Sequence, residues 1–390
     1  MIDLLQVRSD TPGCRDVVHL NNAGAALPTR AVIDTVIAHL ELEARIGGYA
    51  AADDVVARTD AVYDSVATLL GARRDEIALT ESATRAWDMA FYALASSFEP
   101  GDRILTARAE YASNVIAFLQ VARRTGARVE VVPDDADGGL SIDALRAVID
   151  DRVRLIAISW IPTQGGLVNP AADVGAVARE TGIPYLLDAC QAVGQLPIDV
   201  RQLGCDFLSA TGRKYLRAPR GTGILYARSS STSAVDPPFL DVHAARWTSS
   251  DDIEPRTDAR RFESWEHSVA NRLGLGAAVD YALALGLDSI HDRVMELAAG
   301  LRTRLLAVPR LTLHDVGRER CGIVTFTITD IDPYDLARRL RGEGINISVS
   351  TVDFARFDFE ARGLTAVARA SVHYYNTDEE LDRFVAALTR

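Results

Sequence analysis

The sequence predicts an α/β fold: a mostly parallel seven-stranded sheet in a large domain, followed by a small α+β C-terminal domain. Three observations carry this reading. Short apolar runs of strand length recur at 76–80, 102–106, 128–132, 155–159, 185–188, 207–210 and 223–226. Helical stretches at 82–96, 111–125, 141–149, 170–181 and 198–203 separate most of them. Strands alternating with helices imply βαβ units and a sheet covered on both faces. After about Arg228 the alternation stops and the pattern changes.

In chain order, residues 1–20 read as an N-terminal arm, 21–270 as the large domain and 271–390 as the small one. Pro28 at a first helical turn opens an amphipathic run through Val32, Ile33, Val36, Ile37 and Leu40, which closes at Gly47-Gly48. A second helix follows Asp53-Asp54, carries Val55, Val62, Val66, Leu69 and Leu70, and stops at Gly71. The strand–helix alternation then runs to about 228. Ser229 to Ser233 and Pro237-Pro238 read as a loop, and 240–266 as irregular chain. A long helical run from Asn271 to about Ala307 leads to the tail. There we expect a strand at 323–328, a helix at 333–341, strands at 345–350 and 366–372, and a closing helix from Thr377.

Composition excludes several classes. The 390 residues are 48% hydrophobic and 25% charged, an ordinary globular balance. No apolar run approaches the roughly 18 residues of a membrane span. The opening MIDLLQVRSDTPGC lacks a basic region followed by an apolar one, so a cytoplasmic location is expected. A net charge of −12 without a basic stripe argues against nucleic acid as partner. Cys14, Cys190, Cys205 and Cys321 are scattered without CxxC spacing, and the histidines show no HxxxH pair, so no metal site is expected.

The chemistry concentrates between 185 and 223. Lys214 follows Thr211-Gly212-Arg213 at a strand-to-loop junction, ahead of the Gly-rich Arg220-Gly-Thr-Gly223. That setting suits a Schiff-base lysine beside a phosphate cradle. A lysine near a turn is ordinarily a surface side chain; the segment upstream changes the reading. Tyr185-Leu-Leu-Asp188-Ala-Cys-Gln191 puts a carboxylate at the carboxyl end of an apolar strand, which is costly without a partner. An Asp there can hold a pyridinium nitrogen protonated, and open α/β sheets bind ligands at strand carboxyl ends. Helix N-capping is the ordinary alternative for such an Asp. Together, Asp188 and Lys214 favour pyridoxal phosphate.

On these motifs the chain resembles the class V aminotransferase family of fold-type I pyridoxal-phosphate enzymes, which includes cysteine desulfurases and selenocysteine lyases. The match runs from Leu20 to about Thr377. The resemblance implies that Asp188 and Gln191 contact the pyridine nitrogen and ring hydroxyl. It makes Lys214 the Schiff-base lysine, with Thr211 and Arg213 on the phosphate; Arg213 stands where the family has His. Thr80-Glu-Ser-Ala-Thr84, between a strand and a helix, resembles the phosphate loop and carries over Ala83 and Thr84. Glu110-Tyr-Ala-Ser-Asn114 resembles the E-H-x-x-N segment, so Tyr111 stacks on the ring and joins Lys214 and Asp188 as a catalytic candidate. Thr163 falls where the family often has Asn near the ring hydroxyl. Arg369, in Val367-Ala-Arg-Ala-Ser-Val372, matches the arginine that grips a substrate carboxylate, and a planar fork donor suits that task. Asn22 and Ala23 match the segment that closes over the same carboxylate. Arg261-Phe-Glu-Ser-Trp-Glu-His267 lies where the family reaches a neighbouring subunit's phosphate site, with Trp265-Glu266 in place of Gly-Thr. A homodimer with Trp265 at the cofactor follows from that.

One absence directs the choice of reaction. Desulfurases carry a nucleophilic Cys on a loop ahead of the carboxylate arginine, and 345–369 has none here. A desulfurase is therefore disfavoured. The segments 45–49 and 210–223 look most like C–S lyases of the ergothioneine and lincosamide pathways and isopenicillin-epimerase-like proteins. The expectation is β-elimination on an S-substituted cysteine, giving thiol, pyruvate and ammonia in specialised sulfur or antibiotic metabolism. Decarboxylating oxidative deamination of the same conjugate, transamination and epimerisation are the alternatives. The S-substituent would lie toward Tyr49, Trp265 and His267. A non-catalytic scaffold is set aside because Lys214, Asp188 and Arg369 are all present. A nicotinamide enzyme is set aside because Gly221-Thr-Gly223 has no GxGxxG context.

Overall fold

The computed structural model describes residues 2–389. Its central sheet has seven strands in the spatial order Ile77–Thr80, Gly223–Ala227, Phe207–Thr211, Tyr185–Asp188, Val153–Ser159, Arg103–Thr106 and Arg128–Val131. Gly223–Ala227 runs antiparallel to both neighbours, and the remaining pairs are parallel. The two-residue side-chain period divides each strand between two apolar layers. Ile156, Ile158, Leu187 and Leu208 enter the larger core on one face. Leu155, Ala157, Leu186 and Phe207 enter the other, beneath Trp87, Phe91 and Phe118. Burial on both faces is why these strands read as continuous apolar runs.

The small unit is a four-stranded antiparallel sheet in the order Leu311–Leu313, Ile323–Ile328, Ala366–Ser371 and Ser348–Thr351. Helices Pro333–Gly342 and Asp378–Leu388 belong to the same tail. Several details differ from the sequence reading. The stretch 229–233, read as loop, forms the short helix Ser229–Thr232. The strand expected at 345–350 is two, Ile345–Asn346 and Ser348–Thr351, and Leu311–Leu313 is a strand that was not expected. Within 240–266 a hairpin forms from Ala245–Ser249 and Asp252–Pro255. The helical run of 271–307 is two helices, Val269–Leu285 and Leu287–Leu306, bent by 81°. Gly286 between them has φ +82°, a conformation that glycine adopts without strain. The first helix lies against Arg30–Ile46 and Val56–Leu70, and the second against the small sheet. The boundary expected at 270/271 thus falls at the start of the first helix. Among the described residues no single helix is long and apolar enough to cross a membrane.

The chain's beginning is woven into the small unit. Val18–His19 pairs in parallel with Ile345–Asn346, and the Ser371 amide donates to the Leu20 carbonyl at 2.7 Å. Residues 21–24 are thereby held across the carboxyl edge of the large sheet, facing Arg369 and Arg213.

Candidate active site

Thr80, Thr106, Ser159, Asp188 and Thr211 all end strands of the large sheet, four of them parallel, at one edge. Lys214 follows the last of these. Its carbonyl accepts from the Arg217 amide at 2.9 Å, which fixes the turn. Among the described residues its ammonium makes no hydrogen bond or ion pair. Burial pushes its pKa down; Cys190 and Asp188 oppose this, and Arg213 and Arg369 add to it. Lys214 is also the only lysine in the chain, whose other 41 basic residues of Lys and Arg type are arginines.

Asp188 is 7% exposed. Its Oδ1 accepts from the Cys190 amide at 2.9 Å and its Oδ2 from Asn114 Nδ2 at 3.0 Å. Among the described residues it has no cationic partner. It does not cap a helix of regular length, so the N-cap alternative falls away. Gln191 donates from Nε2 to the Ala23 carbonyl at 3.1 Å, and its buried Oε1 has no donor. A buried acceptor left open beside an uncompensated carboxylate and a buried amine fits a ring with a hydroxyl, a basic nitrogen and an aldehyde carbon.

The anion cradle is built from backbone. Ser82 caps helix Ala83–Leu94, accepting from the Arg85 amide at 3.1 Å. That leaves the Ala83 and Thr84 amides at the positive end of the helix. Gly223 passes so close beneath that a Cβ would overlap the Ser82 carbonyl carbon, and a Cβ on Gly212 would overlap Thr222 Oγ1. Thr211 is buried at the adjoining strand end. Arg213 turns instead toward the amino-terminal segment and donates to the Gly24 carbonyl. Burial and Arg220 lower its pKa.

Arg369 is 6% exposed on a strand paired on both sides, so it is no edge-strand surface residue. Its Nη1 donates to the Thr163 carbonyl at 3.2 Å and to Thr163 Oγ1, and its Nη2 to Asn21 Oδ1 at 3.3 Å. Its buried Nε has no acceptor. Burial lowers its pKa to about 10, still cationic at neutral pH. Tyr111 lies half-buried within electrostatic reach of both Arg213 and Arg369.

Some sequence expectations land elsewhere. Thr163 contacts Arg369. Asn22 spends its amide on the His19 and Ser371 carbonyls and on Tyr375, so Asn21 is the residue that faces Arg369. Ala23 donates its amide to Ser371 Oγ at 2.9 Å. Tyr49 and Trp265 line a separate open groove of about 570 Å³ with His243 and His267. A single chain does not bring these two to Lys214. Three participants carried no role in the sequence reading: Asn21, and Asn114 and Glu110, which bound the segment matched for Tyr111. Glu110 gave a faint signal, a carboxylate four residues before Asn114 at the start of an apolar helix.

A family model described as aminotransferase class-V matches residues 18–384. The chain belongs to the class V aminotransferase family. It is a pyridoxal-phosphate enzyme with the fold-type I architecture that the resemblance implied. A probable cysteine desulfurase of Xylella fastidiosa (strain 9a5c) is 33% identical over 381 residues, covering 96% of this chain and 91% of that one. A cysteine desulfurase of Cronobacter sakazakii is 33% identical, covering 99% and 98%. The solved cysteine desulfurase CsdA of Escherichia coli superposes with a TM-score of 0.92 at 26% identity, covering 100% of this chain and 98% of that one.

These relatives overturn the expected reaction. The β-elimination reading, with its C–S lyase subgroup, rested on one missing loop cysteine and two short segments. Proteins similar over nearly the whole chain are named desulfurases, the class that reading disfavoured.

Proposed function

We propose that this class V aminotransferase is a desulfurase-type enzyme that takes the sulfur from cysteine or a close analogue and passes it to an external thiol. The observation that carries the reading is the full-length similarity to cysteine desulfurases, joined to a site with one amine whose pKa is lowered and one buried arginine whose Nε has no acceptor.

Bound pyridoxal phosphate supplies an electron sink conjugated to the substrate's Cα. Lys214 holds the cofactor and moves the proton at Cα through Nζ, aided by a pKa that burial has lowered. Asp188 would keep a positive charge on the ring nitrogen, the open Oε1 of Gln191 would accept from the ring hydroxyl, and Tyr111 would stack on the ring. The Ala83 and Thr84 amides, with Thr211, would hold the phosphate, while Arg213 braces the amino-terminal segment at Gly24. Arg369 clamps the carboxylate in a fixed rotation, itself braced by Thr163 and Asn21.

The chain's own thiols are poor acceptors. Burial pushes Cys205 and Cys321 up to about 12 and Cys14 up to about 11. Burial, and then Asp188, raise Cys190 well above the thiol range. An external thiol RSH balances the reaction. The substrate C–S bond and the thiol S–H bond break, and an S–S and a C–H bond form. Carbon is reduced, sulfur is oxidised, and alanine and RSSH result.

Phe239, Val242, Trp247 and Ile253 are exposed, as is Trp265. A second copy covering this surface accounts for them, and for Tyr49, which is 82% exposed, so the reading includes a homodimer. Four free cysteines fit a reducing, cytoplasmic compartment.

The test supplies cysteine and a small thiol to the cofactor-loaded enzyme. Alanine and persulfide should appear in equal amounts, at a rate that rises with thiol concentration. Pyruvate and ammonia in place of alanine would overturn the reading.

A further inference from the structure

Behind Asp188 sits a second buried carboxyl that no step above uses. Glu110 is 2% exposed and joins two strand ends and the start of a helix. Its Oε2 accepts from the Ser159 amide at 2.8 Å and from Thr106 Oγ1 at 3.2 Å. Its Oε1 accepts from the Tyr111 amide at 2.7 Å, Ser159 Oγ at 2.5 Å and Asn114 Nδ2 at 2.9 Å. The same Nδ2 group donates to Asp188 Oδ2 at 3.0 Å. One amide thus bridges two carboxyl groups, and Ser159 and Asp188 are register partners on adjacent strands.

Two carboxyls this close in a dry site oppose each other's charge. Among the described residues neither forms an ion pair with Arg, Lys or His. The titratable groups facing Glu110 are Asp188 and Tyr185, both on strand Tyr185–Asp188; Lys214 and Cys190 face Asp188 from its other side. A structural tie among these segments needs only donors and acceptors. A carboxyl here costs solvation and, when ionised, makes the Asp188 carboxylate a stronger base.

We propose that Glu110 is a positioning residue that sets the basicity of Asp188 through Asn114, and with it the protonation of the cofactor ring nitrogen. The proposal rests on the cofactor site described above. Burial, and then Asp188's charge against the hydrogen bonds it accepts, brings Glu110 to a pKa of about 7, so its charge changes in the working range.

The visible spectrum of the cofactor-loaded enzyme, followed from pH about 5 to about 9, tests this. The wild-type band should change with a midpoint near 7. Glu110→Gln should remove that change or move it by at least about one pH unit, with the cofactor still bound. Retention of the same midpoint would overturn the proposal. Should Glu110→Gln fail to fold, Asn114→Ala carries the test, because it leaves Glu110 bonded to Ser159, Thr106 and Tyr111. Its midpoint should shift and its cofactor dissociation constant rise about tenfold. An unchanged midpoint there is equally fatal. A protein that takes up no cofactor refutes the site itself; a loaded protein with an unmoved midpoint refutes only the role of Glu110.

Discussion

At the scale of single residues, the site divides into groups whose chemistry announces itself and groups that act by juxtaposition. Lys214 and Asp188 were legible because a cation and a carboxylate at the ends of apolar strands need an explanation. Asn114 and Glu110 were visible as the ends of one matched segment, but their role was not, since it depends on strands far apart in sequence meeting at one edge. Asn21 and Asn22 are adjacent, and only the backbone direction decides which amide reaches Arg369. The chain's single lysine was countable from the start, and it leaves Lys214 as the one side-chain amine that can form a Schiff base. Arg369→Lys keeps the charge but loses the fork held by Thr163 and Asn21. It should raise KM and lower kcat together, by about 100-fold in kcat/KM, with the cofactor spectrum unaltered. Steady-state kinetics on the loaded enzyme check this. Glu110 also affects stability. Its folded pKa of about 7 exceeds the ordinary 4.5, so its contribution is full below pH 4.5 and is lost as pH rises through 7. Denaturation of wild type and Glu110→Gln across that window should give a difference that falls with rising pH.

Element by element, the seven strands of the large sheet were readable because burial on both faces leaves continuous apolar runs. The hairpin within 240–266 was hidden because both strands are largely solvent-exposed and carry no apolar face. The break at Gly286 was hidden because apolar residues continue on both sides of it. One buried group holds the strand Ile77–Thr80 in place. Glu263 accepts from Tyr63 at 2.8 Å and the Leu79 amide at 2.7 Å, with His243 at 3.0 Å and Arg272 at 3.3 Å. Burial alone would raise its pKa, but His243 and Arg272 hold it below the ordinary carboxylate range. Its stabilisation is therefore lost as pH falls. Glu263→Ala strands a buried Arg272 and should cost about 3–5 kcal/mol, read as a lowered Tm. Gly223→Ala should instead weaken cofactor binding, because its methyl would displace the Ser82 turn. Unchanged affinity in that variant would remove the cradle from 82–84.

For the whole molecule, architecture and cofactor class followed from alternation and two motifs, whereas the reaction did not. One absent loop cysteine was given more weight than it can bear, since an acceptor thiol need not belong to the chain. The proposed homodimer has its own check: sedimentation of Trp247→Asp should yield monomer where wild type gives dimer. The central claim is that this edge of the sheet is a pyridoxal-phosphate site carried by Lys214. Borohydride reduction of the loaded enzyme followed by peptide mass spectrometry tests it directly, because no second lysine can compete. A single adduct on the peptide containing Lys214, with loss of the visible band, is the expected result. An unmodified Lys214, with the adduct confined to the chain's amino terminus or absent, would contradict it.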